Sequence, residues 1–131
     1  MFGLFKKKEA PDNEYSKGLS AIRANYPFAR WAESGLEQYT EKACASFVKI
    51  FDCLIDELAI HGDQASEEKK LAAFQKAVEA LNKLNEKDDS LIETGEREDL
   101  CELCNRIAVA AGLDPMKYGD GEGPASNWRD W

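Results

Sequence analysis

The sequence predicts an all-α fold, a single-domain bundle of four to five helices. Three observations carry that expectation. Apolar residues recur three and four apart in every long segment, no run of Val, Ile or Thr alternates with period two, and 131 residues fit one domain. With 44% hydrophobic residues beside 32% charged ones, the composition is that of a folded domain rather than a disordered chain. The expected organisation is a flexible basic N-terminal tail over 1–12, a helical bundle over 13–113, and a C-terminal loop with a Trp-containing tail over 114–131.

The first helix is read from Tyr15, Leu19, Ile22 and Tyr26, which share one helical face, with Asp12 or Asn13 as N-cap. Gly18 weakens it, and Pro27 ends it or starts the next. Between residues 28 and 60 a second stripe runs through Leu36, Tyr39, Ala43, Phe47, Ile50, Leu54 and Leu58, widened by Cys44, Val48, Phe51 and Ile55. So broad an apolar face suits a central helix with neighbours on two sides. Ser34 and Gly35 mark a break, since an unbroken helix here would be about 50 Å long. His61, Gly62 and Asp63 supply the stop.

Ser66 reads as the N-cap of the next helix, with Glu67 and Glu68 where the helix dipole favours acids. Leu71, Phe74, Val78, Leu81 and Leu84 form its inner face, and Lys69, Lys70, Lys76, Glu79 and Lys83 its outer one. A polar stretch over 85–90 closes it, and Leu91 and Ile92 are expected to pack back as a short turn. The last helix is expected from Thr94 as N-cap to Ala111, with Glu96, Glu98 and Asp99 in its first turn and Leu100, Leu103, Cys104, Ile107 and Ala111 buried. Gly112 and Pro115 end it, and the Gly-rich stretch over 119–124 is expected to be a flexible loop.

Composition narrows function. The longest run without a charge, residues 107–113, is far below the roughly 20 residues of a membrane-spanning helix. The N-terminus places Lys6, Lys7 and Lys8 after Phe2, Leu4 and Phe5, the reverse of a signal peptide, so the chain is expected in the cytoplasm with its four Cys reduced. That short tail is too small for stable membrane association. A net charge of −8 disfavours nucleic acid and favours a basic protein surface. One His, with no accompanying nucleophile motif, leaves no catalytic triad, and one His cannot furnish a di-iron bundle. No catalytic activity and no cofactor are expected.

Two motifs bear on chemistry. Cys101 and Cys104 have metal or redox spacing, but acids surround them, and a zinc site needs two more ligands from Cys44, Cys53 and His61. Buried, inert thiols are the favoured account, with no metal. Glu57 and His61, four apart, can meet on one face, with His61 favoured at the helix C-terminus. Asp120 and Glu122 lack the ligand spacing of a calcium loop.

The densest charge lies over 86–102, with eight acids against two bases. It is either a solvated loop with dipole-favoured acids or a docking face for a basic partner, where charge speeds encounter and rejects wrong partners. Trp128 and Trp131 either cover the bundle or anchor an interface.

The segment Leu91-Ile-Glu-Thr-Gly-Glu-Arg-Glu-Asp-Leu-Cys-Glu102, the Ala-rich helix end and the closing Asn127-Trp-Arg-Asp-Trp131 resemble small bacterial proteins. Acidic helical proteins of this size include immunity proteins of toxin–immunity systems. The resemblance covers the last third of the chain and implies a cytoplasmic protein that binds and neutralises a cognate toxin. The Tyr-Tyr pair of the colicin nuclease immunity helix is lacking, so no binding residues are carried over. The expected function is therefore a non-catalytic protein-binding module, docking Asp88, Asp89, Glu93, Glu96, Glu98, Asp99, Glu102, Trp128 and Trp131 onto a basic partner such as a toxin domain. The alternatives are a zinc-binding regulator using Cys101 and Cys104, or a small homo-oligomer built on the surface over 47–55, with the oligomeric state left open.

Overall fold

The computed structural model describes residues 10–87 and 91–131. Five helices follow in order, α1 (Glu14–Ala21), α2 (Phe28–Ala32), α3 (Glu41–His61), α4 (Glu67–Lys87) and α5 (Thr94–Ala110). Among the described residues there is no strand, and no helix is long and apolar enough to cross a membrane.

Local chemistry sets the boundaries. Asn13 caps α1, its Oδ1 accepting from Ser16 N at 2.9 Å, while Ser16 Oγ accepts from Asn13 N at 3.2 Å. The helix then tightens into a 3-10 turn (Ile22–Asn25) before Pro27. Thr40 caps α3 through Ala43 N at 3.1 Å, and the break before it includes Gly35 at φ +86°, a conformation open chiefly to glycine. Gly62 ends α3, its N–H reaching Leu58 O at 3.0 Å. Ser66 Oγ accepts from Lys69 N at 3.1 Å, as expected of the α4 cap.

The long helices α3 and α4 form an antiparallel hairpin, with α1 and α2 against other faces of α3. An aromatic hub locks the α2 side. Phe28 stacks on Phe47 at 5.5 Å, and the Trp31 ring meets Phe28 at 5.0 Å and Phe47 at 5.1 Å edge-on. Leu100, Leu103, Cys104, Ile107 and Ala111 bring the expected face of α5 into the same core.

Several expectations are corrected. Lys70 lies on the inner face of α4 and is 5% exposed, because its ammonium donates to Asp63 O at 2.8 Å and sits 5.4 Å from the Tyr15 ring centroid. Leu36 leaves the stripe because it falls in the break, where helical spacing no longer aims side chains inward, and it is 39% exposed. Thr94 is the first helical residue and Glu93 the cap, which moves Glu98 and Asp99 out of the first turn and leaves only Glu96 there. The Gly-rich stretch is wound into 3-10 turns (Pro115–Lys117, Gly119–Gly121, Pro124–Asn127), the last of which lies against both α4 and α5. Positive φ at Gly119, Gly121 and Gly123 permits that winding, and Pro124 and Ala125 become buried.

Candidate partner-binding surface

At 100° per residue, Glu98, Glu102 and Val109 fall on the side of α5 opposite Leu100, Cys104 and Ile107. Glu98 and Glu102 are one turn apart and exposed, and Val109 is 63% exposed. Val109 borders a shallow, mainly apolar cleft of about 680 Å³ shared with Gly18, Ile22, Glu102, Asn105, Arg106 and Ala110, so one exposed cation, Arg106, stands in it with the acid. Glu93 is exposed at the head of the helix. Elsewhere some carboxylates are ion-paired, with Arg23 bridging Asp52 and Asp56, and Lys76 lying 3.7 Å from Glu57. Among the described residues, no basic side chain forms an ion pair with Glu93, Glu96, Glu98 or Glu102. Val109 was not foreseen as a surface residue. Its signal is its place in the outward register of α5, three residues from neither neighbour of the buried stripe but midway between them.

The other expected site residues have different surroundings. Glu96 is half-buried beside Tyr39, whose hydroxyl donates to Leu91 O. Burial first, and then the charge of Glu96, pushes the Tyr39 phenol well above its ordinary range. Asp99 accepts from Trp31 Nε1 at 2.8 Å and lies 3.4 Å from the Arg30 guanidinium, so it fastens α2 to α5. With 24% of its side chain exposed, Asp99 has little left to offer a partner. Asp88 and Asp89 lie outside the described residues.

Trp128 and Trp131 are half-buried and packed against the core. Asn82 of α4 holds this tail with both ends of its amide, Nδ2 donating to Trp128 O and Oδ1 accepting from Asp130 N, each at 2.9 Å. The Arg129 guanidinium sits 5.6 Å from the Trp131 ring centroid. Replacing Asn82 with Ala removes two hydrogen bonds and is expected to cost about 1–3 kcal/mol. Urea unfolding would show the loss, with a red shift of tryptophan emission. Unchanged emission would mean that packing alone seats the tail.

No three of the thiols gather into one site. Cys44 and Cys104 are buried, Cys101 is half-buried and Cys53 is exposed on α3. Burial pushes Cys44, Cys101 and Cys104 up, with Arg129 only partly opposing the shift at Cys101, which disfavours thiolates. Among the described residues no group of three or more His, Cys, Asp or Glu side chains could hold a metal. His61 Nε2 does approach Glu57 Oε1, at 3.9 Å, as their spacing suggested.

The surface expected over 47–55 is corrected as well. Phe47, Phe51, Leu54 and Ile55 are buried, because α1 and α2 take one side of α3 and α4 the other. What remains open beside them is an apolar groove of about 540 Å³ between α3 and α4, lined by Ile50, Cys53, Ile60, Ala73, Ala77 and Ala80 among others.

No protein-family model, curated protein or solved structure gives a significant match to this chain.

Proposed function

We propose that the protein is a non-catalytic, cytoplasmic binding module that docks the outward face of α5 onto a basic protein, in the manner of an immunity protein on a toxin domain. The observation that carries this is the pairing of Glu98 and Glu102, without ion partners among the described residues, with the exposed Val109 and its apolar cleft. An apolar contact rimmed by charge is the usual anatomy of an interface. Glu98 and Glu102 also repel each other across one helical turn, and a cationic partner relieves that repulsion. In this arrangement Asp99, Trp128 and Trp131 support the face from behind rather than touch the partner.

Reversing both charges, Glu98→Lys with Glu102→Lys, is expected to change stability by no more than about 0.5 kcal/mol while weakening binding and abolishing its salt dependence. The test is a pull-down from lysate of the source cells at low and high salt, using wild type and the double variant, with mass spectrometry of the eluates. A basic protein held only by wild type and released by salt supports the proposal. Equal capture by both, or capture indifferent to salt, overturns this face.

A further inference from the structure

The α3/α4 groove carries both signs of charge in equal number. Lys49 and Lys76 stand on it with Asp56 and Glu57, around apolar walls that include Ile50, Ile60 and Ala77. Glu57 lies 3.7 Å from Lys76, and Asp56 pairs with Arg23. Lys49 is exposed and, among the described residues, has no ion pair. Over the whole chain the net charge is −8, so two copies repel each other on average. At this groove the local balance is even, and that repulsion is absent.

The order of residues along α3 suits a second copy. Lys49, Cys53 and Glu57 are spaced four apart and share one stripe, with Cys53 midway and exposed. When two α3 helices cross antiparallel at Cys53, Lys49 of each faces Glu57 of the other, about 6 Å along the helix from the crossing point. The Glu57 side chain is 31% exposed, so it can accept a second cation while keeping Lys76. Ala73, Ala77 and Ala80 keep the α4 wall low, which lets each α3 lie in the other's groove. The same patch then serves both copies, as two-fold symmetry requires. Twelve residues line the groove, against roughly 20–30 a side in a standard interface, so the dimer is a weak one.

We infer that the α3/α4 groove is a self-association face, joining two copies antiparallel across Cys53 with Lys49 of each paired to Glu57 of the other. The inference is independent of the α5 docking face.

Sedimentation velocity of the full chain under reducing conditions, from about 1 to 500 µM, is expected to show monomers giving way to dimers. Lys49→Glu alone and Glu57→Lys alone each set like charges against one another in both symmetric pairs. Each is expected to raise Kd about tenfold or more. An equal mixture of the two variants restores opposite charges in both pairs and should recover the wild-type Kd to within about threefold. Circular dichroism should be unchanged throughout, since neither side chain belongs to the core. Diamide, reduced to its hydrazine as it takes two thiols to a disulfide, should link wild-type copies through Cys53, as read by peptide mapping. A wild type that stays monomeric overturns the inference and leaves the groove to a different occupant. A mixture no heavier than its separate variants, or copies joined through another thiol, overturns it too.

Discussion

Trp31→Ala is expected to destabilise the protein by about 3–5 kcal/mol, the usual cost of emptying a large aromatic site. Domains of this kind hold about 5–15 kcal/mol in total, so the variant would be close to unfolding. Trp31 is 2% exposed and sits within 5.1 Å, centroid to centroid, of Phe28, Tyr39 and Phe47. Its indole N–H also donates to Asp99, which would be left with Arg30 alone. Trp31→Phe separates the two contributions. It keeps most of the packing and loses the hydrogen bond, at about 1.5–3 kcal/mol for a bond to a charged group. Guanidinium unfolding followed by far-ultraviolet circular dichroism measures both. A Trp31→Ala cost below about 1 kcal/mol would show that the hub repacks around the void.

Gly123→Ala is the second large effect, at about 3 kcal/mol or more from backbone strain and overpacking together. Gly123 has φ +118°, and a Cβ there would stand 1.9 Å from Asn105 Oδ1. Turning Asn105 aside costs the bond its Nδ2 donates to Glu122 O at 3.0 Å. Gly35→Ala is the control. It has φ +86° with nothing within 4 Å of the added carbon, so it carries the backbone strain without the clash. Denaturant midpoints for the two variants should differ clearly. Adding Asn105→Ala to Gly123→Ala should recover part of the loss, and a strictly additive pair would refute the clash.

The helical skeleton was legible because long amphipathic stripes and capping residues are local signals. The inner faces of α4 and α5 and the caps Asn13 and Ser66 were readable in this way. Trp31 was not, since α2 spans only Phe28–Ala32 and is too short to display a period. Besides its aromatic neighbours it bonds Asp99, 68 residues away, which no local pattern reveals. Lys70 illustrates a different failure. Its position, four before Phe74, belongs to the buried stripe, but its charge suggested the outside, and only Asp63 and Tyr15 explain its burial. For the binding surface, the acidic density over 86–102 was visible, but its division was not. Which acids point outward, like Glu98 and Glu102, and which are used internally, like Asp99, depends on helix phase and on tertiary partners.

The Asn82 clamp also bears on the order in which the protein comes apart. Its two bonds join residues 46 and 48 positions apart, whereas Phe28, Trp31 and Phe47 meet within one short stretch. Distant contacts close late in folding and open early in unfolding, because the loop between them must be organised first. The tail is therefore expected to part first, with its amides exchanging with solvent through openings that leave the aromatic hub intact. Loss of Trp31 should then slow refolding, while Gly123→Ala or loss of Asn82 should chiefly hasten unfolding.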